Sequence, residues 1–131
     1  LRWASAIRRI SVARPAITAA TRRLLRRMLS LNGIELPDIA GVILTATPDL
    51  NADFPATAIR AEGWRDVPLL CAQEIDVPGS MRRLVRALIF FNTDRRQREI
   101  RHVYMGVAVR LRPDLTSRFA LRRAPGTKKN P

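Results

Sequence analysis

Apolar positions along the chain follow two periods. In "PAITAATRRLLRRMLSLN" (15–32), Ile17, Thr21, Leu24, Leu25, Met28 and Leu31 recur three and four apart, which predicts one face of a helix. Pro15 suits its first turn, and "NG" at 32–33 supplies the stop. Four β-rich runs, "GVILTATP" (41–48), "VPLLCAQE" (67–74), "LVRALIFFN" (84–92) and "VYMGVAVRLR" (103–112), predict strands. Between the first two, "FPATAIRAEG" (54–63) has helix formers from Pro55 to Gly63. "DVPGS" is a turn, and "TDRRQREI" a polar connection with room for one helical turn. From residue 116, "TSRFALRRAPGTKKNP" loses periodicity and reads as a flexible basic tail. Helices alternating with strands, then two strands in succession, predict an α/β (α+β) fold: a single domain over 1–115 with a mixed β-sheet packed with helices, and a tail at 116–131.

With 131 residues, 47% of them apolar, the chain can build one core and has little room for a second domain. Its longest apolar runs, "LVRALIFF" and "GVILTA", fall far short of the ~20 residues of a membrane span. The start lacks the apolar core of a signal peptide. The single cysteine, Cys71, has no internal disulfide partner, which suits a reducing cytoplasm. Charge is the outlier: 24 Lys+Arg against 11 Asp+Glu give +13, and the only lysines are Lys128 and Lys129. Such a balance favours anionic partners, among them nucleic acid or a small polyanion. Arg22, Arg23, Arg26 and Arg27 fall opposite the apolar helix face, and the plainer reading of that basic face is a solvated surface. Aromatic residues, at 5%, are too sparse to interleave with the arginines for base stacking.

Conventional catalytic sets are missing. His102 is the only histidine, so neither a zinc cluster nor a histidine relay is available, and nothing in the sequence brings it to Cys71. No P-loop or GxGxxG is present. What remains are arginines, a glutamate, a tyrosine and a cysteine near strand ends. Arg86 interrupts "LVRALI", where a guanidinium must reach the sheet edge or meet an anion. Glu74 closes the preceding strand and is its candidate partner, as an ordinary ion pair or as part of a site. Tyr104 and Arg112 are evenly spaced in the last strand and share one side of the sheet. Together these residues predict a pocket for a small polyanion, worked by fixed charges.

"TATPDLNADFPATAIRAEGW", "VPLLCAQEIDVPGS", "IRHVY" and "AVRLRPDL" stand in one order over about residues 15–115. In this the chain resembles the monofunctional chorismate mutases of the trimeric Bacillus type. The resemblance implies a homotrimeric pseudo-barrel with sites between subunits, and an isomerase of phenylalanine and tyrosine biosynthesis in the cytoplasm. It implies conversion of the dicarboxylate chorismate to prephenate, with neither cofactor nor metal. The catalytic residues it implies are Arg86, at the ether oxygen, and Glu74. Cys71 and Glu74 match residues at the ring hydroxyl, Tyr104 matches a carboxylate-binding tyrosine, and Phe54 and Leu111 match apolar walls. Arg60 matches an arginine at the mouth, with the Phe54–Arg60 segment coming from the neighbouring subunit. One departure is at the start, where "AIRRISVARPAI" replaces a strand of Ile-Arg-Gly-Ala type. Matching "AIR" makes Arg8 the carboxylate-gripping arginine, whereas a gapless match puts Ala4 there. A second is Thr57, where a lysine often follows "FPA". The alternatives are an inactive relative of this family and a basic nucleic-acid-binding protein.

Overall fold

A computed structural model of the chain describes residues 1–9 and 13–105. The chain runs β1 (Arg2–Arg9), α1 (Arg14–Asn32), β2 (Ile39–Ala46), α2 (Ala56–Ala61), β3 (Leu69–Gln73), β4 (Leu84–Phe91) and β5 (Val103–Met105), with short 3-10 turns at Leu36–Asp38 and Gln97–Glu99. The strands form one mixed sheet in the order β3-β2-β4-β1-β5. β2 is parallel to β3 and antiparallel to β4, and β1 is antiparallel to β4 and parallel to β5. The mixed sheet with helices matches the expected α+β class, and each expected helix and strand lies where its run of residues stands. Of the run 103–112, only Val103–Met105 lies within the described residues. The tail and Leu111 lie outside them.

The helix α1 forms because its apolar stripe has somewhere to go. Ile17, Thr21, Leu24, Leu25 and Met28 are at most 1% exposed. Ala4, Ala6, Leu44, Ala87 and Ile89 join Leu24, Leu25 and Met28 in the core cluster. Burying each such leucine stabilises the fold by about 1.5–3 kcal/mol. Thr21 meets its burial cost by donating its hydroxyl to the Ile17 carbonyl at 2.7 Å. Gly33 takes the left-handed conformation (φ 58°) that ends the helix, its N–H returning to the Leu29 carbonyl. The buried Asn32 then ties this end to the chain before β5, donating to the Arg101 carbonyl at 2.9 Å and accepting from the Arg101 N–H at 2.7 Å.

The periodicity did not foretell β1. "RWASAIRR" is short, arginine-flanked and built on small residues, so its alternation carries little hydrophobic contrast. It nevertheless buries residues on both faces, with Ala4 and Ala6 buried under α1 and Ile7 on the opposite side. Pairing to β4 along its whole length creates the strand, a case of tertiary partners overriding weak propensity.

Arg22, Arg23, Arg26 and Arg27 of α1 do not make one free basic face. Arg22 and Arg26 reach across to α2 and share the carboxylate of Glu62, at 2.6 and 2.8 Å. This neutralises part of the stripe that suggested nucleic acid.

Candidate active site

The register aligns one row of residues across the sheet. Ala72 of β3 pairs with Thr45 of β2, Thr45 with Arg86 of β4, Arg86 with Ile7 of β1, and Ile7 with Tyr104 of β5. Directly paired residues point to the same side of a sheet. Thr45, Arg86, Ile7 and Tyr104 therefore share one face, opposite to α1. Ile7 packs with Leu84, Met81 and Tyr104 and fixes the floor of this row.

Arg86 is anchored there. Its Nε donates to Glu74 Oε1 at 2.7 Å, with side-chain exposures of 48% and 21%. The hydroxyl of Thr45 donates to the same Oε1 at 2.5 Å. A contact through Nε leaves the other donors of the five-donor guanidinium fork for a second anion. Glu74 is itself held by its N–H, which donates to the Ala46 carbonyl at 2.9 Å and continues the β2–β3 ladder by one residue. The entry to β4 is clamped as well. Thr47 Oγ1 accepts the Leu84 N–H at 3.0 Å, and the Asp49 carboxylate accepts the Arg83 N–H at 3.0 Å. Arg83 is held at φ 57°, a conformation that non-glycine residues rarely adopt without such support. Burial works to raise the pKa of Asp49, but the Thr47 hydroxyl, the backbone N–H groups of Arg83 and Asp49, and the charge of Arg82 outweigh it and hold it below 3.8.

A second group adjoins the same C-terminal end of β2 and β3, where Ala46, Ala72 and Gln73 line it. An open cavity of about 480 Å³ is lined by Phe54, Pro55, Cys71, Leu50 and Asp53, among others. Its size suits a small ligand. Phe54 is 72% exposed at its rim, on a turn in which Asp53 Oδ1 accepts the Phe54 N–H and the Thr57 hydroxyl. No arginine or lysine is among its described lining residues.

The structure does not set all of the sequence candidates beside Arg86 and Glu74. Cys71 was expected beside Glu74 and Arg86, but it pairs with Leu44 and packs against the core cluster on the helix-covered side. It belongs with Phe54, because successive strand residues face opposite ways. Arg8 was expected in the charged row, but it pairs with Val85, one residue out of step with Ile7 and Arg86. Its Nη1 is buried without a hydrogen bond, and burial, then the charge of Arg23, lower its pKa. Arg9, which no motif singled out, has the parity that Arg8 lacks: it is exposed and shares the face of Ile7 and Arg86. Arg60 was expected at a pocket mouth, and its Nη1 instead donates to the Trp64 and Arg65 carbonyls at 2.8 and 3.2 Å, closing the loop after α2.

His102 takes a structural place. Its Nδ1 accepts the Ser5 N–H at 3.2 Å and lies 3.1 Å from the Ser5 hydroxyl, and its ring tilts over Trp3 with centroids 5.0 Å apart. It precedes β5 while Cys71 lies on β3, four strand spacings or roughly 19 Å away. A cysteine–histidine pair within one chain is thus excluded. Among the described residues no cluster of His, Cys, Asp and Glu could hold a metal ion.

An anchored guanidinium, a carboxylate that orients it and a neighbouring cavity make up a candidate enzyme site on an α+β sheet. The profile of the family chorismate mutase type I matches residues 4–115, and the chain belongs to that family. It is 53% identical over 103 residues to chorismate mutase AroH of Thermus thermophilus, covering 78% of this chain and 84% of that protein. To chorismate mutase AroH of Bacillus subtilis (strain 168) it is 43% identical over 101 residues, covering 76% and 80%. Among solved structures, a chorismate mutase from Clostridium thermocellum superposes with a TM-score of 0.79 at 40% identity, covering 81% of this chain and 96% of that one.

Proposed function

We propose that this chain rearranges chorismate to prephenate, and that the Arg86–Glu74 pair on the open face of the sheet is the centre of the reaction. The reaction is a unimolecular Claisen rearrangement in which one C–O bond breaks as a C–C bond forms. It requires no base, nucleophile or electron carrier. Its demands are two: the flexible enolpyruvyl ether must be held in its compact conformer, and the ether oxygen, more negative in the transition state, must meet preorganised positive charge. Arg86 serves the second demand, with Glu74 fixing its direction. Tyr104 and Arg9, on the same face, are placed for the substrate carboxylates; Arg9 here takes the part that the motif match gave to Arg8. Leu111, as the resemblance implies, supplies an apolar wall.

The observation that carries this reading is the division of the site. Arg86 and Glu74 stand on the open sheet face, and the cavity beside Phe54 is lined by apolar residues together with Thr47, Asn51, Asp53 and Gln73, with no cation among its described lining residues. A dicarboxylate needs both. The open face also carries Trp3, Leu70, Leu88, Phe90 and Ile43, with Trp3 38% and Leu70 59% exposed. A homotrimer in which one subunit's Arg86 row meets the next subunit's Phe54–Cys71 cavity completes the site and covers that face. A cytoplasmic location accompanies this reading. No helix among the described residues is long and apolar enough to cross a membrane.

The test is loss of chorismate absorbance with purified protein, wild type beside Arg86→Ala. Turnover in the wild type that falls by about 10²–10³-fold in the variant supports the reading. A folded wild type without turnover overturns it and leaves an inactive relative. Refolding Arg86→Ala mixed with Phe54→Asp then addresses the shared site. Activity above that of either variant alone is expected if the halves come from different chains.

A further inference from the structure

We propose that Thr45 is a positioning residue for the reaction: its hydroxyl fixes the Glu74 carboxylate so that Arg86 presents its guanidinium edge in one direction. The inference rests on the reading of Arg86 as the charge that meets the substrate. Thr45 and Arg86 are direct cross-strand partners, so their side chains start about 4.5–5.5 Å apart on one face. Both then converge on a single oxygen, Glu74 Oε1, at 2.5 and 2.7 Å. That oxygen accepts from two sides at once.

The hydroxyl has no evident role in building the fold. The path of the chain at Glu74 is already fixed by the β2–β3 ladder through Ala46–Gln73, and by the Glu74 N–H on the Ala46 carbonyl. What the ladder does not fix is the rotation of a glutamate side chain, which has three torsions and stands 21% exposed. A single contact with Arg86, itself a long and half-exposed side chain, leaves both free to swing together. The short, β-branched Thr45 is stiff on a strand and supplies the rigid third point. A carboxylate held this way keeps Arg86 within the narrow angular range that electrostatic catalysis needs.

The experiment compares Thr45→Val, Thr45→Ala and Thr45→Ser in the full chain, measuring kcat, KM for chorismate and Tm. Valine keeps the shape and strand preference of threonine and removes only the hydroxyl. The expected result is a fall in kcat of about tenfold for Val and Ala, the scale of a lost hydrogen bond to a charged group, with KM changed less than about twofold. Serine restores most of the lost kcat. In a Glu74→Gln background, Thr45→Val adds less than about twofold, because the carboxylate it acts through is gone. Wild-type kcat in both hydroxyl-free variants overturns the proposal and leaves the function standing. So does a serine variant as impaired as valine, or a loss that tracks Tm alone. An inactive wild type overturns the function itself, and this inference with it.

Discussion

The two faces of the sheet are made by the same five strands and have opposite characters. Toward α1, the row Leu44, Ala87, Ala6 and Val103 is at most 5% exposed. One step along, on the far face, stands Thr45, Arg86, Ile7 and Tyr104, with Arg86 nearly half exposed. The first face is finished within one chain. The second is left open among the described residues, apolar at one end and charged at the other. The proposed site uses the open face because a guanidinium taken out of water is a far stronger electrostatic element than one in water.

The largest test of the comparison is Arg86→Ala, with kcat/KM expected to fall by about 10²–10³-fold and Tm to stay near wild type, since the side chain packs against no core. A fall below tenfold would show that the open face is structural. Next comes the finished face: Leu24→Ala, at 0% exposure, should cost about 2–5 kcal/mol of unfolding free energy, read by urea denaturation. Leu88→Glu places a charge in the middle of the open face. Under the proposed trimer it should give folded monomers in sedimentation velocity at micromolar concentration, with helix content by circular dichroism unchanged.

Smaller effects sharpen the parity argument. Arg9→Ala should raise KM about tenfold with kcat little altered, the loss of one charge-assisted contact made equally in ground and transition states. Arg8→Met, on the covered face, should leave KM unchanged and stability unchanged or higher, since it removes a partly buried cation set against Arg23. The opposite outcome for the pair would place the strand one residue out of register. Smallest is Asp49. Its folded pKa lies below its ordinary value of 3.8, so the folded state binds fewer protons and its stabilisation is present above that value and lost as pH falls through the folded pKa. Asp49→Asn should flatten the acid limb of Tm against pH below about pH 4.

The charged row shows how far the amino-acid sequence reaches. An arginine inside "LVRALI" and a glutamate closing "LLCAQE" mark themselves, because burial makes a charge conspicuous against an apolar run. Phe54 and Tyr104 stood within motifs dense enough to carry a resemblance. Thr45 and Arg9 carried no such mark. A threonine in a strand is ordinary, and one arginine among sixteen others before residue 102 gives no contrast of its own.

By itself the sequence determined every element but β1, and the kind of chemistry. A 3–4 spacing, β-rich runs and turn residues act locally, and the absence of a base or nucleophile set is a matter of composition. Only the tertiary structure decided who stands beside whom. Register across β2, β4, β1 and β5 sent Arg9 to the charged face and Arg8 to the covered one, and it parted Cys71 from Glu74. The reason is the two-residue period of a strand: one step reverses a side chain, and only pairing with a distant strand sets where the count begins.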